Sequence, residues 1–156
     1  MLNLKPYRRQ IKSFCGPASL KIVLDYYGVS VTEKEIAEVA GATIEAGVSP
    51  EGLVKAAKHF GFNAFLKEGS TLYDLRYYLD KKIPVIVDWF WENDGHYGVV
   101  ADIDEENITL RDSSFWKIRK MSLEIFLGVW FDYPGNYPKT KDDFIVRVML
   151  IITPKK

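Results

Sequence analysis

The single cysteine of this 156-residue chain, Cys15, is the side chain best suited to nucleophilic chemistry. It stands in Cys15-Gly16-Pro17-Ala18, which predicts the start of a helix because proline is favoured in a first helical turn. A thiol there lies near the positive end of the helix dipole, which favours the nucleophilic thiolate. A lone cysteine is also commonly a small buried apolar residue, so its position alone leaves both interpretations open.

A histidine at the entry of a predicted strand is the second candidate. His96 is one of two histidines and lies in the segment 94–98, DGHYG, whose glycines let backbone or substrate approach closely. It is a candidate general base for the Cys15 thiol. The other histidine, His59, lies near the end of a predicted helix, where a cation beside the helix C-terminus is a sufficient explanation.

Two polar residues could complete such a site. Asp112 follows His96 by 16 residues, on a strand predicted to pair back across the turn at Asp104. Its carboxylate could orient the imidazole, although a strand-end aspartate can also simply accept loop N–H groups. Gln10, five residues before Cys15, could pair its amide with the Cys15 N–H in an oxyanion hole.

The elements that must position these residues follow from hydrophobic periodicity and start signals. Residues 1–14 are predicted to be extended. Helices are predicted to begin at Cys15, after Thr32, after Ser49 and after Thr71, and a short one after Ser122. Strands are predicted over 85–91, 96–103, 107–112 and 144–152. Helices first and an antiparallel sheet second indicate an α+β fold, which we expect to form one domain over residues 1–156.

Composition narrows the class of partner. The 21 basic and 21 acidic residues give zero net charge, so nothing electrostatic favours nucleic acid or an anionic membrane. Apolar residues make up 47% of the chain, enough for a core. No apolar stretch is long enough to cross a bilayer, and the first ten residues lack a secretory signal. We therefore expect a cytoplasmic protein, and the sequence predicts neither a metal site nor a cofactor.

Several of these segments together resemble the C39-like cysteine peptidase family. The segments are Gln10 with 14–20 (FCGPASL), 24–28 (LDYYG), 95–104 (GHYGVVADID), 110–113 (LRDS), and 121–126 (MSLEIF) followed by Trp130. The resemblance extends over roughly residues 5–152. It implies a papain-like fold, in which N-terminal helices pack on a C-terminal antiparallel sheet and the active site lies between them.

Carried over by position, the resemblance implies a function. Cys15 would be the nucleophile, His96 the general base, Asp112 its orienting partner and Gln10 the oxyanion donor. The reaction implied is hydrolysis of a peptide or amide bond through an acyl-enzyme on Cys15. Among the many rings of the second half, Tyr97 and Trp116 are the predicted substrate-binding residues, although such rings also fill cores.

Two other functions stay open at this stage. Four residues separate Gln10 from Cys15, one fewer than is usual in papain-like enzymes, which motivates a catalytically inactive peptide-binding or regulatory module of the same fold. The same acyl-enzyme could also be captured by an amine, which would make the protein an acyl or peptidyl transferase. All three functions predict a peptide or amide as the partner, and the sequence leaves the oligomeric state open.

Overall fold

The computed structural model describes residues 1–91, 94–116 and 118–156. Its α-helices are α1 (Cys15–Tyr26), α2 (Glu33–Ala40), α3 (Pro50–His59), α4 (Leu72–Asp80) and α5 (Leu123–Val129). Its strands are β1 (Phe62–Lys67), β2 (Val85–Trp91), β3 (Asp94–Ile103), β4 (Asn107–Arg111), β5 (Ile118–Ser122), β6 (Phe131–Asp132), β7 (Ile145–Val146) and β8 (Met149–Pro154). A 3₁₀ turn covers Lys141–Asp143.

The predicted helix starts are confirmed by side-chain caps. Thr32, Ser49, Thr71 and Ser122 each accept a hydrogen bond from a backbone N–H in the first turn of the helix that follows. These bonds satisfy N–H groups that have no partner inside the helix. These four helices therefore begin where the sequence signals place them.

The strands form an antiparallel sheet on which helices pack. Six strands follow the order β1-β8-β2-β3-β4-β5, and β6 pairs with β7 separately. Helix α1 packs against β3, and α3 packs against β1. Fully buried side chains of both layers form the core, among them Leu20, Leu53, Ile86 and Ile108. The predicted α+β fold is thus confirmed. Within the residues described, no helix is long and apolar enough to cross a membrane.

Three strands were not predicted from the sequence, namely β1, β5 and the two-residue β6. Strand β1 follows α3 directly. Its first residues alternate between buried and exposed, with Phe62 and Ala64 buried, which is typical of a half-buried strand. Strand β5 has the polar sequence IRKMS and pairs with β4 at the edge of the sheet. An edge strand needs little apolar character, so the hydrophobic pattern does not reveal it.

The last predicted strand, 144–152, is divided in two by Arg147. Arg147 has a φ of 51°, a left-handed conformation that interrupts an extended strand. Its N–H donates to the carbonyl of Trp130 at 3.0 Å, and its carbonyl accepts from the N–H of Ser70 at 3.0 Å. As a result, β7 pairs with β6, whereas β8 lies between β1 and β2.

Candidate active site

Cys15 is the first residue of α1, and the N-terminus of this helix is left open. The residue before it, Phe14, has no side chain that can cap the helix, whereas the four caps described above are serine or threonine. Pro17 has no N–H, and the N–H of Ala18 donates to the carbonyl of Phe14 at 2.9 Å. Among the residues that the structure describes, the N–H groups of Cys15 and Gly16 therefore have neither an intrahelical acceptor nor a side-chain cap. Two such donors beside a thiol are suited to stabilising an oxyanion.

Gly16 allows α1 to approach the sheet closely. A Cβ at Gly16 would collide with a methyl group of Val48 and would lie 3.2 Å from the ring of Tyr97. The Tyr97 hydroxyl in turn donates to the carbonyl of Val48 at 3.0 Å. These contacts fix the end of α1 that carries Cys15 against β3 and the loop before α3.

His96 and Asp112 form a hydrogen-bonded pair. The Nε2 of His96 and the Oδ1 of Asp112 are 2.7 Å apart, and both residues are buried. An ionised carboxylate can only accept, so Nε2 carries the proton of this bond. The indole of Trp89, directly opposite His96 on β2, meets the imidazole edge to face at a centroid distance of 5.4 Å. The pair is thereby shielded from solvent on that side.

A register shift between β3 and β4 explains how the two side chains meet. Val99 pairs with Arg111, so continuing the register places Asp112 opposite Gly98, on the face that also carries His96. The shift lies between Val100 and Asp102. Without it, Asp112 would lie opposite Val99 and point to the other face of the sheet.

The charges of the site support a protonated imidazole. Burial alone would lower the pKa of His96, but hydrogen bonds and Coulombic attraction from Asp112 and Cys15 outweigh it and raise this pKa to about 9. Burial also acts to raise the pKa of Asp112, but the hydrogen bond and charge of His96 dominate and hold that pKa well below its usual range. Around neutral pH the site therefore contains a His96 imidazolium that is hydrogen-bonded to the Asp112 carboxylate.

Arg119 is a further contact of Asp112 that the sequence did not suggest. Its Nε donates to Asp112 Oδ2 at 2.8 Å, while the N–H of Ser114 donates to Oδ1 at 2.9 Å. The side chain of Asp112 has no exposed surface. Both carboxylate oxygens thus have hydrogen-bond donors, as a buried charge requires.

Gln10 lies in an exposed turn before α1, and a buried glutamate holds its backbone. Glu33, the first residue of α2, accepts from the N–H of Gln10 at 3.0 Å and from the N–H of Ile11 at 3.3 Å. It also accepts from the hydroxyl of Tyr7 at 3.1 Å. Burial, together with the charge of Glu33, raises the pKa of Tyr7 to about 12. The described contacts of Gln10 are made by its backbone, and an oxyanion role for its side chain stays a prediction.

The two aromatic residues predicted to bind substrate differ in exposure. Tyr97 is 6% exposed and packs against Gly16, whereas Trp116 is 58% exposed in the loop between β4 and β5. Trp116 is tied to β4 through its carbonyl, which accepts from Arg111 at 3.1 Å. Trp116 is thus the one of these two rings that is open to a ligand.

Asp88 and Asp132 form a pair of acids on strands β2 and β6, which contact each other. Asp88 on β2 is 2% exposed, and neither of its carboxylate oxygens has an N–H or hydroxyl donor among the described residues. Burial, followed by the charge and hydrogen bond of Asp132 on β6, raises the pKa of Asp88 well above its usual range. The Asp132 carboxylate occupies the space where a Cβ at Gly95 would lie, which explains the glycine before His96. We interpret Asp88 as a neutral acid that donates to Asp132.

Comparison with known proteins identifies relatives over most of the chain. The model of the Peptidase C39 family matches residues 4–133. An uncharacterized protein of Methanothermobacter thermautotrophicus is 39% identical over 117 residues, covering 73% of this chain and 77% of that protein. The pediocin PA-1 transport/processing ATP-binding protein PedD of Pediococcus acidilactici is 33% identical over 129 residues, which are 81% of this chain but 17% of PedD.

Solved structures share the fold at lower identity. The peptidase domain of Streptococcus ComA, a bi-functional ABC transporter, has a TM-score of 0.78 at 23% identity, covering 98% of this chain and 100% of that domain. A double glycine motif protease from an AMS/PCAT transporter, solved with its leader peptide, has a TM-score of 0.72 at 22% identity, covering 99% and 94%. The fold is therefore papain-like, as the sequence resemblance implied. With the family match over residues 4–133, these findings show that the chain belongs to the peptidase C39 family.

Proposed function

We propose that the protein is a cysteine peptidase or thiol-dependent amidase that uses Cys15, His96 and Asp112. The observation that carries the proposal is the buried hydrogen bond between His96 and Asp112, together with the influence of Cys15, which helps to raise the pKa of His96. Because Nε2 is bonded to Asp112, Nδ1 is the nitrogen that remains for proton exchange with the thiol. An imidazolium beside the sulfur favours the thiolate.

Acylation uses the groups that converge at the start of α1. The thiolate of Cys15 attacks the carbonyl carbon, and the electron pair of the C=O bond moves onto oxygen. The resulting oxyanion is stabilised by the N–H groups of Cys15 and Gly16, with Gln10 as a third donor. When the tetrahedral intermediate collapses, the C–N bond breaks and His96 gives its proton to the leaving amine.

Deacylation reverses the role of the imidazole. The neutral His96 takes a proton from water, the water oxygen attacks the thioester carbon, and the C–S bond then breaks to release a carboxylic acid. The thiolate and the imidazolium are restored. Asp112 stays ionised throughout and stabilises the imidazolium, which is consistent with its lowered pKa.

A peptide is the proposed partner. Among the structural relatives, one domain was solved with its leader peptide, and this chain shares the fold of that domain. The exposed ring of Trp116, in the loop that follows Asp112, supports an extended substrate passing over the site. Peptides that contain paired glycines are therefore included among the substrates to be tested, without assuming that they are preferred.

The proposal is tested first on the thiol and then on turnover. We expect iodoacetamide to alkylate Cys15 at neutral pH, and we expect replacement of His96 by alanine to slow this reaction because the imidazolium no longer stabilises the thiolate. Replacement of the exposed His59 by alanine is the matched control and should leave the rate unchanged. Wild-type protein should then cleave members of a peptide library, and Cys15→Ala should abolish cleavage without unfolding the chain.

Other outcomes distinguish the alternatives. Adducts formed when amines are added to the reaction would indicate a transferase. Peptide binding that Cys15→Ala leaves intact, with a thiol of ordinary reactivity, would indicate an inactive binding module. Cleavage that persists in Cys15→Ala would contradict the proposal outright.

A further inference from the structure

We propose that Arg119 is a positioning residue that fixes the Asp112 carboxylate, and through it the His96 imidazole, in the orientation needed for reaction. The inference deepens the function proposed above and rests on it. Neither the family match nor the relatives assign a role to this residue. Four observations support it: the division of the Asp112 hydrogen bonds, the packing of the guanidinium, the face on which β5 carries it, and the charge of the cluster.

The two oxygens of Asp112 have different partners. Oδ1 accepts from His96 at 2.7 Å and from the N–H of Ser114 at 2.9 Å, whereas Oδ2 accepts from Arg119 Nε at 2.8 Å. Rotation of the carboxylate about its terminal bond would break all three bonds at once. Since the side chain is fully buried, water does not replace a lost donor without rearrangement. Arg119 therefore restricts Asp112 to one orientation.

Arg119 is itself held by aromatic rings. Its guanidinium lies 4.5 Å from the centroid of the Trp91 ring and 4.7 Å from that of Phe115, with Trp89 at 5.4 Å. The side chain is 17% exposed. A planar guanidinium can stack on such rings while its N–H groups remain directed at a carboxylate, and a lysine ammonium cannot do both. The donor to Asp112 is therefore fixed before a substrate binds.

The register of β5 places Arg119 on the correct face. Arg119 lies opposite Leu110 on β4, and Leu110 and the following Asp112 point to the same side of the sheet because they are two residues apart. This is also the face of His96. A one-residue shift of β5 would turn Arg119 away and bring Ile118 or Lys120 to that position. The edge strand β5 thus carries Arg119 on the same face of the sheet as His96 and Asp112.

The charge of Arg119 complements its geometry. Asp112 is flanked by two cations, the His96 imidazolium and the Arg119 guanidinium. Both favour the ionised carboxylate, which accepts the Nε2 proton of His96 and does not compete as a donor. Removing Arg119 would leave one oxygen of a buried carboxylate without its donor, and we expect the carboxylate to turn toward another donor at the expense of the bond to His96.

Three variants test the inference. Arg119→Met keeps an unbranched side chain but removes the guanidinium, whereas Arg119→Lys keeps the positive charge. Lys120→Met is the control, because it removes a positive charge from the neighbouring exposed position of the same strand. At neutral pH we expect the rate of Cys15 alkylation to fall roughly tenfold in Arg119→Met, which corresponds to about 1.4 kcal/mol. The lysine variant should recover only part of the rate, and Lys120→Met should match wild type. Thermal unfolding of each variant checks that the chain is folded.

A second measurement reports on the hydrogen bond itself. In ¹H NMR the Nε2 proton shared by His96 and Asp112 should give a low-field signal in wild type and in Lys120→Met. We expect the signal to weaken through exchange with water in Arg119→Met. This readout does not depend on the reactivity of Cys15, so an unreactive wild-type thiol would contradict the proposed function while the NMR signal still decides the role of Arg119.

A double-mutant cycle separates positioning from general stabilisation. If Arg119 acts through Asp112, Arg119→Met should have little further effect on the alkylation rate in an Asp112→Ala background. Losses that multiply in the double variant would overturn the inference. An unchanged alkylation rate and NMR signal in Arg119→Met would do the same, even if its melting temperature fell.

Discussion

Replacing Asp88 with asparagine tests whether Asp88 and Asp132 share one proton. In wild type the neutral Asp88 is interpreted as the donor to Asp132, and burial raises the Asp88 pKa well above its usual range. The amide N–H of an asparagine can make the same donation without carrying a titratable proton. The variant should therefore preserve the contact and remove its dependence on pH.

The expected magnitude follows from proton linkage. An aspartate in the unfolded chain loses its proton near pH 3.9, whereas the folded Asp88 keeps it to a higher pH. Between these two values the folded state binds one more proton than the unfolded state, so its free energy of unfolding falls by about 1.4 kcal/mol per pH unit. The stabilisation is complete below the unfolded pKa and is lost as pH rises through the folded pKa. Asp88→Asn should lack this decline, so its stability relative to wild type should increase with pH at that slope.

Urea unfolding measures the difference between the two proteins. We would follow tryptophan fluorescence at half-unit intervals from pH 5 to pH 8, since Trp89 and Trp130 are buried and report on the core. Asp142→Asn, at an exposed position, is the matched control and should follow the wild-type curve. His96 and Asp112 titrate in all three proteins, so their contributions to the pH dependence of the free energy of unfolding cancel in the comparison. Parallel wild-type and Asp88→Asn curves across this range would refute the shared proton.

Two further predictions concern the proposed catalytic residues and the residue that holds the segment before α1. Asp112→Asn removes the carboxylate that helps to raise the His96 pKa, so we expect that pKa to fall from about 9 toward 6.5. NMR titration of the His96 imidazole measures the change, with the second histidine as an internal reference. An unchanged His96 pKa would contradict the assigned cause. Glu33→Gln removes the charged acceptor of the hydrogen bonds from segment 7–11, so it should lower the free energy of unfolding by about 2 kcal/mol and speed amide exchange in that segment. The exposed Glu38→Gln on the same helix should do neither. Slow exchange in both variants would contradict the idea that Glu33 holds this segment in place.

The sequence predicted the elements whose signals are local. The capped helices begin where serine and threonine precede acidic or apolar residues, because a cap is a contact between residues three positions apart. The start of α1 at Cys15 was predicted from a different local signal, the proline at position 17 in its first turn. The division of the last strand was missed because the left-handed Arg147 is imposed by contacts with Trp130 and Ser70, which are distant in sequence.

The supporting residues of the site were missed for a related reason. Arg119 lies in a polar segment that has no apolar alternation, and its role becomes visible only when β5 is paired with β4. Glu33 was hidden inside a capping box, where an acidic residue already has a sufficient explanation at the helix N-terminus. Asp88 lies in a run of buried β2 residues, and its partner Asp132 is 44 positions away. Each depends on a long-range contact that residue type and spacing do not encode.

The meeting of His96 with Asp112 itself depends on such a feature. Counting residues outward from the turn at Asp104 places Asp112 near His96 along the hairpin. In a regular hairpin, however, the Asp112 side chain would point to the face of the sheet opposite that of His96. The extra residue between Val100 and Asp102 corrects the face, and the carbonyl of Ala101 there accepts from the N–H of Leu2 at 2.8 Å. The buried Leu2 thus ties the N-terminal segment to the bulge. The extended residues before α1 therefore support the bulge that turns Asp112 toward His96.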